Sequence, residues 1–436
     1  MTVTATTSRR TSPLRPGGFY GWHIVVGSTV ALAATGPGQT AGVSVFIDPL
    51  IVDLGVSRSA ISTAYLIGTL CGAFTLPWIG RALDRYGVRR TMATIGLVFG
   101  AVLMLLATAS GIVGLTAGFV GIRMAGQGAL GLTATTATAL WFSRRRGTAT
   151  GIVTAFGAIG ISMTPLLMEG FVAEHGWRTA WLVEGLAIWA IVIPLALLGM
   201  RDRPADLGQL PDGAQAPEPG ETHEHVEWGV TVREAVRTPF FWVVAGGVAA
   251  CGLLSTAINF HQISLLSERG LTTAEAAGNF LWQTIAALLA TLATGALSDR
   301  VKPRWLIAAS MVALAGSLVL GSRVEPGLSA IAFGALLGSA GGAMRALEAA
   351  TFPRYYGTTH LGSIRGMVTA VSVGSTAFGP LLFSAAHELT DAYTTILVAT
   401  APIPLVIAFT AFVVRPPSLA PHHDSTSTNT STDTNP

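Results

Sequence analysis

Two arginines and a glutamate stand inside long apolar runs, where charge is costly. The stretch GGAMRALEAA, residues 341–350, sets Arg345 and Glu348 three positions apart, close enough to pair on one helix face. A guanidinium in such a place can grip a carboxylate or another oxyanion through paired hydrogen bonds. A desolvated Glu348 can take up a proton, so an anion arriving at Arg345 would release Glu348 to do so. The same pair would also serve as an inert structural bridge. Arg123 lies about 10 residues inside its run, near the middle at ~1.5 Å per residue. A charge at the centre of a spanning helix costs about 2.5–3.5 kcal/mol, which asks for a compensating role. That role is either a substrate or coupling contact or a buried structural link to backbone or to Gln127. The other polar residues at depth are Gln39, Thr40, Ser44, Asn259, His261 and Gln262. His261 reads as a contact for a proton or a bound molecule, or as a hydrogen-bonded structural histidine. Glu169 and Glu184 lie near the ends of their runs and read as structural.

No nucleophile–base constellation and no metal-ligand spacing accompanies these residues, so neither catalysis, a metal nor a cofactor is expected. Cys71 and Cys251 fall inside apolar runs and read as small packing residues. The cluster His223-Glu224-His225 sits in a hydrophilic stretch and reads as solvated chain.

The elements that carry these groups follow from composition. Half of the 436 residues are hydrophobic, 11% are charged and the mean hydropathy is +0.57, too few charges to cover a water-facing surface. Apolar runs near 20 residues, each able to cross a hydrocarbon core about 30 Å thick, recur about twelve times. Their approximate bounds are 22–49, 59–79, 91–111, 113–141, 148–172, 179–200, 240–264, 276–296, 303–321, 328–351, 363–387 and 392–414. The expected fold is an all-α polytopic membrane protein of twelve transmembrane helices. Basic residues crowd one set of loops, with 20 there against 4 in the opposite set, which places both termini in the cytoplasm of a multi-pass inner-membrane protein. The basic N-terminus lacks a cleavable signal pattern. The chain divides into an N-terminal tail (1–18), a six-helix bundle (19–200), a solvated linker (201–238), a second bundle (239–415) and a disordered tail (416–436).

The halves are related by a shift of 215 residues. GRALDR, residues 80–85, faces GALSDR, residues 295–300, and Gly55 faces Gly270. Gly147, Gly151, Val153, Thr154, Ala155 and Pro165 face Gly362, Gly366, Val368, Thr369, Ala370 and Pro380. Six spans per half give the halves one orientation and a pseudo-two-fold axis along the membrane normal. Gly36-Pro37-Gly38, Pro165 and Gly379-Pro380 are expected to interrupt or bend helices 1, 5 and 11.

GRALDRYGVRR between helices 2 and 3 resembles the signature loop of the major facilitator superfamily, and GALSDRVKPR its second copy. FYGWHIVV and WFSRRRGTATGIVTAFG resemble the two motifs of the monocarboxylate porters, the second keeping Phe142, Arg144, Arg145, Arg146, Ala149, Gly151 and Ala155. GWRTAWLVEG and FPRYYGTTHLGSIRG resemble bacterial members of that group, which includes the oxalate–formate exchangers. The resemblance implies a gate at the signature loop. Gly80 would let helices approach, Asp84 would accept from a neighbouring helix N-terminus, and Arg85, Arg89 and Arg90 would pair with acids or lipid. Gly87 belongs to the same gate motif; Asp299 and Arg300 are the weaker copy, since Lys302 stands where the first copy has Gly87.

The resemblance also implies a central cavity lined by helices 1, 4, 7 and 10, hence by Gln39, Thr40, Arg123, Gln127, Asn259, His261 and Arg345, with Glu348 for proton coupling. Animal monocarboxylate porters carry an Asp and an Arg on helix 8, where this sequence has Ala287 and Thr291. The lysine late in helix 1 is also missing. Either Arg123 and Arg345 take over the anion site, or the substrate is not a simple monocarboxylate. The expectation is a monomeric, proton-coupled secondary carrier of a small organic anion, working by alternating access. Its rivals are a proton-driven exporter of drugs or metabolites and a non-transporting membrane sensor.

Overall fold

The computed structural model describes residues 19–142, 145–213, 229–298, 300–357 and 360–417, leaving aside the side chains of Pro77, Asp84, Arg146, Gly213 and residues 361–363. Asp299, Arg144, the His223-Glu224-His225 cluster, both tails and the side chain of Asp84 therefore lie outside the described residues.

Span 1 is broken as its glycines and proline require. Helix α1 (Gly21–Ala33) ends before a 3-10 turn at Gly36–Gly38, and the chain resumes as α2 (Thr40–Ser44) and α3 (Ile47–Leu54). Spans 2 and 3 form α4 (Arg58–Leu106), capped by Ser57 and turned at Gly87, whose φ of 80° suits only a residue without a side chain. Span 4 is α5 (Ile112–Ile122), a π-helical turn at Arg123–Leu130, and α6 (Gly131–Trp141). Spans 5 and 6 form α7 (Arg146–Pro194), turned at Gly176.

The second half opens with the short α8 (Val232–Ala235), where the Thr231 amide and hydroxyl hold the Glu234 carboxyl below the usual carboxylate range. Spans 7 to 11 are α9 (Pro239–Ser267), α10 (Thr273–Leu297), α11 (Pro303–Gly321), α12 (Leu328–Tyr356) and α13 (Leu361–Thr390). Span 12 is α14 (Tyr393–Thr400) followed by α15 (Pro402–Val413). Thr238 and Thr272 cap α9 and α10, and proline opens α9 and α11, the position where its missing N–H costs nothing.

Among the described residues nine stretches are long and apolar enough to cross a membrane. One of them, Gly147–Gly199, holds two crossings, and the broken spans 1 and 4 complete the twelve. The 29 residues of α9 extend roughly 43 Å at 1.5 Å per residue, beyond the ~30 Å hydrocarbon core. Buried apolar side chains form two clusters, one per half, drawn almost wholly from residues before Met200 and after Ala235.

Two expectations need correction. Pro165 and Pro380 do not interrupt their helices: α7 and α13 run through them. The expected solvated linker is packed at both ends. Asp202 accepts from the Arg89 amide at 2.9 Å and lies against Gly87, Gln209 accepts from the Tyr20 amide at 3.0 Å, and Trp141 donates to the Arg201 carbonyl at 3.2 Å. At its other end Val230 donates to the Tyr356 carbonyl at 3.0 Å. We call the side bearing Gly87 the signature face, and the side bearing Gly55 and Gly270 the far face.

Candidate functional site

Three helices of the second half enclose a cavity of about 160 Å³. Ser255 and Asn259 come from α9, Gln283, Thr284 and Ala287 from α10, and Leu337, Gly338, Gly341 and Arg345 from α12. Within each set the residues lie one, three or four positions apart, so each helix turns a single face inward. Glycine permits the arrangement. A Cβ on Gly338 would lie 2.0 Å from the Gln283 carbonyl oxygen, and one on Gly342 would lie 2.1 Å from that of Ala287. Backbone contact between α10 and α12 thus delivers Arg345 to the cavity.

Arg345 is exposed there, with no hydrogen bond or ion pair to any described residue. The expected pairing with Glu348 is not formed. Glu348 instead meets the Arg365 guanidinium of α13 at 3.7 Å. Three residues along one helix bring two side chains near each other, but a third helix offers Glu348 a partner and leaves Arg345 unpaired. The Ser255 hydroxyl and the Asn259 carbonyl oxygen also lack partners. Above them lies an amide network that the reading of helices 1, 4, 7 and 10 missed. Gln283 donates to Gln262 and, at 3.3 Å, to Asn279, while Asn279 donates to the Ala330 carbonyl at 2.6 Å. Its signal was present: Asn279 and Gln283 stand four apart in an apolar span.

The other expected cavity residues are placed elsewhere. Arg123 is 3% exposed and does not line this cavity. It donates to the Gly38 carbonyl at 3.2 Å and lies 4.5 Å over the Tyr65 ring, with its Nε unpartnered. The break in span 1 thus packs on the π-turn of span 4 and cages this charge. Gln39 donates to Thr35 at 2.9 Å and Thr40 meets the Tyr65 hydroxyl at 2.5 Å. Gln127 is exposed on the π-turn. His261 is fully buried, its Nε2 3.0 Å from the Pro380 carbonyl and its Nδ1 3.1 Å from the Tyr393 hydroxyl. Both of its ring nitrogens are thus engaged within the protein.

The gate residues are apart. A Cβ on Gly80 would meet nothing within 4 Å, and the same holds for Gly295, Gly151 and Gly366, so the helix approach expected at Gly80 is absent. Arg89 donates to the Leu197 carbonyl at 2.5 Å, while Arg85 and Arg300 are exposed. The halves meet at the far face instead. Asp48 accepts from Arg58 at 2.7 Å and from Ser264 of the other half at 2.6 Å, and Arg58 donates to Ser264 at 3.0 Å. The Ser59 amide donates to Glu388 at 2.9 Å, and Ser62 pairs with Ser384. Glu169 accepts from Thr273, and deeper in, Ser162 pairs with Thr284. Among the described residues no hydrogen bond joins the two bundles at the signature face. The described cross-bundle hydrogen bonds thus lie at the far face and at depth.

Twelve crossings in two like-oriented bundles, with a polar cavity between the helices, define a polytopic membrane transporter. The family model of the Major Facilitator Superfamily matches residues 29–280, more than half of the chain, and the chain belongs to that family. It is 23% identical over 226 residues to the "Uncharacterized MFS-type transporter YcxA" of Bacillus subtilis (strain 168), covering 51% of this chain and 52% of that protein. It is 26% identical over 388 residues to the "Probable nitrate/nitrite transporter NarK2" of Mycobacterium tuberculosis (strain ATCC 25618 / H37Rv), covering 84% of this chain and 90% of that one. It is 27% identical over 388 residues to Monocarboxylate transporter 3 of Rattus norvegicus, covering 86% and 75%. The crystal structure of the nucleoside transporter NupG shares the fold, with a TM-score of 0.69 at 14% identity, covering 90% of this chain and 98% of that one.

Proposed function

We propose that this chain carries a small organic anion of monocarboxylate type across the cell membrane by alternating access, with Arg345 as the anchor for the carboxylate. One observation carries the reading: Arg345 stands unpaired in a small cavity whose described lining includes no acid. A guanidinium in that setting lacks only an oxyanion. Ala287, where animal monocarboxylate porters have an acid, lines the same cavity, so Arg345 on α12 supplies from across the cavity the cation that helix 8 has lost. The likeness to a monocarboxylate transporter over 86% of the chain supports the substrate class. A lining without an acid argues against an exporter of lipophilic cations. In this reading the signature face is cytoplasmic, and proton coupling runs through Glu348 as its bridge to Arg365 opens and closes.

A second reading, a small inorganic oxyanion such as nitrate, is favoured by the likeness to NarK2 and by the size of the cavity. Thermal unfolding of the purified protein against carboxylates, nitrate and lipophilic cations tests both. A ligand at 100 times its dissociation constant adds about 2.7 kcal/mol of stability. We expect one carboxylate to raise the melting temperature and Arg345→Gln to weaken its binding by roughly tenfold to a hundredfold. Stabilisation by nitrate alone would favour the second reading, and stabilisation only by cations would discard both.

A further inference from the structure

Glu184 has no part in the cavity. It lies on α7, eight residues past the Gly176 corner, and is 5% exposed. Both of its carboxyl oxygens are sealed from solvent and meet no hydrogen-bond partner. The indole N–H of Trp181, one turn earlier on the same face, is equally partnerless. The neighbours define the surroundings. Trp181 stacks on Phe46, just before α3, at 3.8 Å and 18°. Gly185, the next residue, abuts the Gly100 carbonyl and Met104 of α4.

Every charged group on the elements packed around Glu184 is engaged or distant. Asp48 is held by Arg58 and Ser264. Asp53 is held by Arg178 and Trp177. Arg123 is caged by Gly38 and Tyr65. Arg81, Arg85, Arg89 and Arg90 of α4 lie at the signature face beside Gly87, and His23 of α1 lies against Tyr20. On α7 itself, Glu169 meets Thr273, and Glu174 and His175 pair beside the corner. A carboxylate in apolar packing with no donor is unstable enough that the group takes a proton instead.

We propose that Glu184 is a proton-binding site, filled when the far face is closed and emptied when the segment Phe46–Leu54 lifts away from Trp181. That segment packs on α7 one turn from Glu184, through Phe46 on Trp181 and Asp53 on Trp177 and Arg178, and also carries Asp48, the hub of the far-face contacts, so lifting it as the far face opens would admit water to the carboxyl. The step is one proton passing between the carboxylate and far-face water, with nothing else exchanged. Because protonation and closure stabilise each other, the linkage is reciprocal. Acid favours the closed far face, and alkali favours the open one. The inference rests on alternating access but not on the identity of the anion.

The test uses the full chain in lipid nanodiscs, with Cys71 and Cys251 replaced by serine and spin labels at Val52→Cys and Leu389→Cys. These far-face positions are 84% and 86% exposed. Between about pH 5 and pH 9, the long-distance population should grow with pH in the parent protein and stay low throughout in Glu184→Gln. Infrared difference spectra should show a carboxylic-acid carbonyl band at neutral pH that Glu184→Gln lacks. The His387–Glu268 pair and Glu388 are other ionisable contacts at this face, so the Glu184-dependent part must survive in His387→Gln. A pH response unchanged in Glu184→Gln, or no band lost, overturns the inference alone. A distance that never changes overturns alternating access and the inference together.

Discussion

At the scale of single residues, the two in-span arginines have opposite fates. Arg123, central in its span, is held by a carbonyl and an aromatic face, a cation–π contact worth about 2 kcal/mol when desolvated. Arg345, nearer the end of its span, keeps its charge free at the cavity. Glu348 belongs to a different contact, with Arg365 of α13. If proton coupling runs through this bridge, Glu348→Gln should uncouple uptake from a pH gradient in proteoliposomes while leaving the ligand-induced thermal shift intact. Uptake that still follows the gradient would remove Glu348 from the coupling path.

At the scale of elements, the repeat of 215 residues extends into backbone conformation. Gly55 and Gly270 both adopt left-handed φ, 62° and 85°. Gly176 and Asp391, also 215 apart, both have positive φ, 78° and 52°, but ψ of 159° and 20°, so the corner recurs in place and not in conformation. Lys302 breaks the match with Gly87, and the chain turns differently: Lys302 has φ −62° and α11 starts afresh at Pro303. Helix contact separates two kinds of glycine. Gly338→Ala drives a methyl into the Gln283 carbonyl and should cost about 1–3 kcal/mol, seen as a lower melting temperature. Gly80→Ala has open space in this state and should leave the melting temperature unchanged or higher, since alanine favours helix by about 0.5–1 kcal/mol. Its cost should appear as slower transport, when the signature face has to close.

At the scale of the whole molecule, the cross-bundle hydrogen bonds hold the far face shut through polar contacts, several of them exposed. Exposed pairs of this kind contribute about 0.2–1 kcal/mol each, weak enough for the face to open. Asp48 accepts from both halves, so Asp48→Ala should raise the far-face-open population severalfold, read from the Val52–Leu389 distance. An unchanged distribution would show that packing, not this contact, sets the closed state.

The sequence by itself determined the twelve crossings, the duplication and the superfamily, because hydropathy, loop charge and a motif repeated at one offset are properties of the chain taken in order. It also placed Arg345 and Asn259 among the candidates for the cavity. It could not decide that Arg123 is caged, that Glu348 turns to Arg365, or that Asn279 and Gln283 back the cavity. Around an all-apolar span the helical phase is weak, so a polar residue's direction is set by the neighbouring helix. That neighbour is fixed only when segments over a hundred residues apart pack, as α13 does on α9 through His261 and Pro380.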